Sequence, residues 1–175
     1  MSGERVAREE RGEPLRLSHL ASDGRASMVD VGAKPVTDRR AVATSAVHLS
    51  QATLDLIDAQ SAPKGPVLST AELAGIQGAK RTSDLIPLCH PLPLSSIAVR
   101  CTVDRATSSV AIRAEVACSG RTGVEMEALT AASVAALTVY DMVKAVDRGA
   151  SIGPTRLVEK SGGARGAWSA EEAPR

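Results

Sequence analysis

Aromatic side chains are almost missing from these 175 residues: there is no phenylalanine, and Tyr140 and Trp168 stand alone. Proteins that grip single-stranded nucleic acid stack bases on such rings, so the composition argues against that class. Excess charge is missing too. Lys and Arg number 21 against 20 Asp and Glu, a net charge of +1, and so small a balance projects no field that would gather nucleic acid or an anionic membrane. Any anion must be held by local clusters. Cysteine is scarce and odd in number. Cys89, Cys101 and Cys118 lack the paired spacing of a disulfide framework or a zinc knuckle, and the N-terminus carries no apolar signal stretch. A reduced, cytoplasmic setting is the expectation. No uninterrupted apolar run reaches the roughly 18 residues of a membrane span, so no bilayer crossing is expected.

What is present suits one domain with a core and is too short for two comfortable ones. Residues 1–16 mix Glu and Arg with few apolar side chains, and residues 161–175 are rich in Gly, Ala and charge; both read as tails around a domain at 17–160. Trp168 lies in the second tail, solvated or packed on a neighbouring subunit. Alternating small apolar residues predict a strand from Ala41 to Leu49, after which Ser50 offers an N-cap for a helix through Ile57. Ser69 lies three before Glu72, the spacing of a capping box, and Leu73, Ile76 and Ala79 continue at helical intervals until Pro87 forbids it. Two alternating stretches, Ile97 to Val103 and Val110 to Val116, predict paired antiparallel strands joined around Asp104 to Ser108. An Ala-, Leu- and Met-rich helix is expected from Glu125 to Arg148, stopped by Gly149, with a last short strand around Ile152 to Val158. The expected class is α+β, an antiparallel sheet backed by helices on one face. Small core residues favour close helix packing and oligomerisation.

Two segments carry more polar chemistry than a core needs. Gln77 to Pro91 crowds Lys80, Arg81, Asp84, Cys89 and His90 onto an apolar run, and Tyr140 to Ala145 places Asp141 and Lys144 three apart. They read as two walls of one site. On a helix, residues three apart share a face, so Asp141 and Lys144 could exchange protons with one bound molecule, or simply form a surface ion pair. Apolar Tyr140 and Met142 beside the acid would partly desolvate it and shift its proton affinity toward a useful range. Lys80 and Arg81 read as helix-end caps or as phosphate ligands; Lys64, in a Pro-Lys-Gly-Pro turn, and Lys160, before Ser-Gly-Gly, add two more cations. Cys89 and His90 point to opposite sides of an extended segment, which argues against a shared metal. Between Pro87 and Pro91, His90 is held rigidly, as an orienting group or as a core histidine bonded to a carbonyl; Cys89 reads as a small hydrophobe rather than a nucleophile. Glu125 and Glu127 follow the Gly120 to Gly123 turn, suiting a helix start, or offering Glu127 and main-chain amides to a guanine-like edge.

Ala79-Lys-Arg-Thr82, Asp84-Leu-Ile-Pro-Leu-Cys-His-Pro-Leu92, Thr122-Gly-Val-Glu-Met-Glu-Ala-Leu129 and Tyr140-Asp-Met-Val-Lys144 closely resemble the cyclic pyranopterin monophosphate synthase family of molybdenum cofactor biosynthesis, from about Met28 through Gly163. The resemblance implies a ferredoxin-like fold and a homohexamer, a trimer of dimers with active sites at subunit interfaces. It implies conversion of a cyclised dihydroguanosine triphosphate to a pyranopterin carrying a cyclic phosphate, with loss of pyrophosphate. Position by position, Asp141 and Lys144 match the catalytic acid-base pair and Lys64 a catalytic lysine, while Leu88, Cys89 and His90 match one substrate-binding stretch and Met126 and Glu127 a second. Lys160 and Arg39 match further site cations. The chain departs from the family pattern at Gly78, Pro93 and Val143, where Ala, Met and Cys are usual; none of these carries charge.

That chemistry asks for what these residues supply. Opening and re-closing a purine ring moves protons repeatedly, and expelling pyrophosphate builds negative charge that Lys64, Lys80, Arg81 and Lys160 could stabilise. His90 is counted with the catalytic group. No cofactor is called for; a Mg2+ ion could accompany the triphosphate, although no carboxylate cluster demands a metal. Two other classes compete: a nucleotide-sensing module that no longer turns its ligand over, and an interaction module whose Ala-rich helix only builds oligomers.

Overall fold

The computed structural model describes residues 25–164 and 166–170. The tail expected over 1–16 and the end of the second tail, 171–175, lie outside the described residues. Along the chain run β1 (Thr37–His48), α1 (Gln51–Asp58), α2 (Val67–Lys80), the single turn α3 (Thr82–Leu85), β2 (Leu94–Asp104), β3 (Ser109–Gly120), α4 (Glu125–Val143), β4 (Ser151–Ile152), β5 (Arg156–Ser161) and β6 (Trp168–Ser169). The strands form one antiparallel sheet in the order β2-β3-β1-β5-β6, with β4 paired to β1. Helices back this sheet, an α+β arrangement consistent with the ferredoxin-like class.

Strand alternation decides which side is core. Ala41, Ala43 and Val47 of β1, Val110, Ile112, Ala114 and Val116 of β3, and Val99 and Cys101 of β2 face the helices and are buried. α4 meets them with Ala128, Ala131, Ala132, Ala135, Ala136 and Val139, all without exposed surface. Its 19 residues and hydropathy of 1.2 match a membrane-crossing helix in length and composition, but its alanine face is spent on the sheet and on α2. Close approach needs small residues. A Cβ at Gly75 would stand 2.9 Å from the Ala131 carbonyl oxygen, and one at Gly78 2.9 Å from Val134 Cγ2.

Four expectations need correction. The capping box at Ser69 and Glu72 does not form: α2 begins at Val67 behind Pro66, the Ser69 hydroxyl donates to the Pro66 carbonyl, and Glu72 accepts the Cys101 amide at 2.9 Å. A free N–H on the edge strand β2 draws that carboxylate away from the helix start. The long helix ends at Val143 rather than Arg148, because the amides of Val146 and Asp147 both turn back onto the Val143 carbonyl. The last strand is two, β4 and β5, separated by Gly153, Pro154 and Thr155, where proline supplies no N–H. Trp168, placed in a tail, instead pairs with Lys160 in β6.

Candidate active site

Arg39 stands near the start of β1 and Lys160 near the end of β5, antiparallel neighbours in the sheet. The first turn of α4 carries Met126 and Glu127, and the irregular stretch after α3 carries Leu88, Cys89 and His90. Together they line a cleft of about 530 Å³. Lys160 Nζ lies 3.1 Å from Glu125 Oε1, and Arg39 Nε donates to the Gly120 carbonyl. Backbone shape makes room for the guanidinium: Gly163 has φ +73°, and a Cβ there would collide with Arg39 Nη1.

Glu127 is the unusual member. Only 4 % of it is exposed, and burial pushes its carboxyl above the ordinary carboxylate range, with a smaller push from Glu125. Burial and the Glu127 charge likewise raise the Cys89 thiol. A thiol so placed stays protonated, in keeping with a small hydrophobe. His90 is half-buried and its Nε2 donates to the Val29 carbonyl at 2.9 Å. His90 and Glu127 also border a second cavity of about 230 Å³, which Lys80, Thr82 and Ser83 line. Arg81, at the α2–α3 junction, lines neither cavity.

Three cations on the cleft escaped sequence reasoning: Arg40, which Glu115 and Glu159 hold, Arg121 and Lys34. Arg121 donates to the Gly32 carbonyl, and Lys34 stands on the facing N-terminal segment. Arg121 lay in the Gly120 to Gly123 turn, read there for its main-chain amides. Lys34 carried no periodic signal.

Lys64, Asp141 and Lys144 form a separate group at the far end of α4. Lys64 Nζ lies 2.7 Å from Asp141 Oδ2 and 2.8 Å from the Asp141 carbonyl, and Lys144 Nζ lies 2.7 Å from Oδ1. All three side chains are about half exposed. The apolar neighbours therefore do not desolvate Asp141 as expected. Lys144 first, and Lys64 second, hold its carboxyl down at about 2, and Asp141 in turn raises the Lys144 ammonium. Asp141 is a fixed anion between two cations.

The two groups do not meet within one chain. Fifteen residues of helix at about 1.5 Å each put Met126 and Asp141 roughly 22 Å apart, so the reading of two walls facing one another is corrected for the single chain. Along the outer side of α4 run exposed Met126, Leu137 and Tyr140, with exposed Leu73 on neighbouring α2. Among the described residues no three His, Cys, Asp or Glu side chains converge as a metal site.

The MoaC family profile matches residues 28–163. Curated relatives called cyclic pyranopterin monophosphate synthase include that of Herpetosiphon aurantiacus, 60 % identical over 150 residues, which are 86 % of this chain and 92 % of the relative. That of Brucella ovis is 55 % identical over 157 residues, 90 % of this chain and 95 % of its own. That of Cereibacter sphaeroides is 56 % identical over 154 residues, with coverage of 88 % and 97 %.

Proposed function

The chain belongs to the MoaC family, and from that premise we propose that it performs the reaction its relatives are named for. It rearranges (8S)-3',8-cyclo-7,8-dihydroguanosine 5'-triphosphate to cyclic pyranopterin monophosphate and releases pyrophosphate, a phosphorus-oxygen lyase step in molybdenum cofactor biosynthesis. The observation that carries the reading is the convergence of Lys64, Asp141 and Lys144 from segments far apart in sequence.

Each group has a task in this reading. Asp141, anionic across the working pH range, holds two ammonium groups side by side; Lys64 and Lys144 then give and take protons as the ring opens and re-closes. Lys160 and Arg39, with Lys34 and Arg121, hold the triphosphate in the cleft and stabilise charge on the departing pyrophosphate. Glu127, with its raised carboxyl, hydrogen-bonds the polar edge of the ring, beside Leu88, Cys89, His90 and Met126. Lys80 backs that wall from the second cavity. No resident cofactor is assigned; a Mg2+ ion would enter as the companion of the triphosphate.

The site is completed by a second copy of the chain. A two-fold axis near Ser133, midway along α4, would bring the Asp141 end of one helix beside the Met126 end of the other and cover the exposed Met126, Leu137 and Tyr140. That exposed apolar row is what supports the homohexamer, a trimer of dimers with interfacial sites, which the family resemblance implies. Three cysteines without disulfides suit a cytoplasmic enzyme.

The deciding experiment is turnover of the cyclised dihydroguanosine triphosphate by purified protein, following pyrophosphate release and the fluorescent oxidised pterin. Product from wild type and none from Lys144→Ala is expected. Triphosphate bound without product in either would favour the nucleotide-sensing module. Neither binding nor product would leave only the interaction module.

A further inference from the structure

Glu127 and Asp147 are the two buried carboxylates among the described residues, and only Glu127 lies on a cavity wall. Asp147 is 8 % exposed, past the end of α4, and among the described residues no cation pairs with it. A buried carboxylate without a counter-ion persists only if hydrogen bonds replace its water. Its donors are neutral. Oδ2 accepts the Ser50 amide at 2.8 Å, Oδ1 accepts the Gly149 amide at 3.2 Å, and the Thr53 and Ser50 hydroxyls assist.

The place of those bonds gives them a consequence beyond stability. Ser50 caps α1, and α1 leads into the loop that carries Lys64. Lys64 returns to Asp141, and the last turn of α4 returns to Asp147. The chain thus closes a ring at two points: Lys64 on Asp141, and Ser50 on Asp147. α1 has eight residues, too few to be stable alone, so its position depends on its anchors: Leu54 and Ile57 in the core, the Arg105 bridges to Asp55 and Asp58, and at its start the Asp147 bond to the Ser50 cap. The loop beyond it turns at Gln60, φ 53°, and at Gly65, φ 94°, and Lys64 itself is exposed. Without the Asp147 bond the start of α1 would pivot about its core residues Leu54 and Ile57, displacing the loop and Lys64 with it.

We propose that Asp147 is a positioning residue for this site: by binding the Ser50 amide it sets where Lys64 stands relative to Asp141 and Lys144. The assignment rests on the synthase reading above. A displacement of about 1 Å at a reacting group is worth up to about 100-fold in rate. The cations that hold the triphosphate belong to the cleft at the other end of α4, so rate suffers and affinity does not.

The test compares Asp147→Ala, Asp147→Asn, Ser50→Pro and Ser50→Ala by kcat, KM, thermal melting and carbon NMR titration of the Asp141 carboxyl. Asn keeps an oxygen for the Ser50 amide and gives up only the longer bond to the Gly149 amide. Proline removes that amide at a φ of −67° which its ring adopts readily, and Ser50→Ala controls for the lost hydroxyl. Asp147→Ala and Ser50→Pro should lose at least about tenfold in kcat with KM within about threefold of wild type. Asp147→Asn and Ser50→Ala should stay near wild type, and the Asp141 midpoint should rise from about 2 in the two impaired variants as Lys64 withdraws. Lower melting temperatures with unchanged kcat and an unchanged Asp141 midpoint would overturn the proposal, as would equal impairment of Asp147→Asn and Asp147→Ala. If Asp147→Ala does not fold, Ser50→Pro against Ser50→Ala decides alone. Absence of turnover in wild type would sink the synthase reading instead; the NMR midpoint still reads the Lys64 geometry.

Discussion

Lys64 donates from one ammonium group to both the carboxylate and the main-chain carbonyl of Asp141, 77 positions further along the chain. The double contact aims the lysine as well as holding it, since the carbonyl is fixed by the last turn of α4.

Replacing Lys64 with Ala should therefore abolish proton handling while leaving the fold. Turnover is expected to fall by at least about 100-fold. Both partners are half exposed, so stability should change little. Pyrophosphate release and a thermal melt on the same preparation read the two effects. A loss of activity matched by a large drop in melting temperature would contradict the assignment.

The Asp141 carboxyl lies at about 2, below its ordinary 3.8. A group depressed on folding adds stability above its unfolded value and loses it as pH falls through the folded one. Wild type and Asp141→Asn should thus differ most in melting temperature above pH 4 and converge toward pH 2. Between about pH 5 and pH 8 no acid limb of kcat should come from Asp141. A carboxyl midpoint above 4, observed by NMR, would remove the fixed-anion role.

Glu127 works in the opposite sense. Its carboxyl is raised by burial, so the folded chain binds that proton more tightly than the unfolded chain does. Stability contributed by the neutral acid is full at low pH and is lost as pH rises through the raised folded value. Glu127→Gln, neutral at every pH, should melt higher than wild type at pH 8 and near wild type at pH 4, while KM for the triphosphate rises. Identical melting curves at both pH values would show that burial is not what perturbs the group.

If sites form between copies, two dead variants should rescue one another. Lys144→Ala damages one end of α4 and Glu127→Ala the other, so a mixed dimer holds one site with both damaged halves and one with neither. Mixing and reassembling the two should restore up to about half the wild-type activity to dimers of mixed type. Each variant alone should stay inactive. Failure of rescue, with mixed oligomers demonstrated by mass, would place the whole site within one chain.

Gly78, a position where the family resemblance implies Ala, packs against Val134 of α4. A Cβ at Gly78 would lie 2.9 Å from Val134 Cγ2 and 3.0 Å from Val134 Cβ. Gly78→Ala should therefore destabilise by about 1–3 kcal/mol despite the better helix propensity of Ala. Adding Val134→Ala should recover part of the loss, a coupling readable from denaturation of the four members of the cycle. Independent effects would mean that the helices move apart without cost.

Sequence alone determined the elements whose causes are local. Alternation in β1, β2 and β3 follows from a pleated strand with one buried face, and Ser50 caps α1 because its hydroxyl meets the Thr53 amide one turn on. The Asp141–Lys144 pair was legible for the same reason, since helix geometry alone joins residues three apart. What depends on distant partners was not. Glu72 answers the Cys101 amide rather than its own helix, Asp147 answers Ser50 as α4 ends, and Trp168 finds a strand in β5. Only the tertiary structure could show that Lys64 reaches Asp141 and that Arg121 and Lys34 face the cleft. The physical reason is that local pattern records which face of an element is buried, whereas the distance between two elements is set by packing across the whole core.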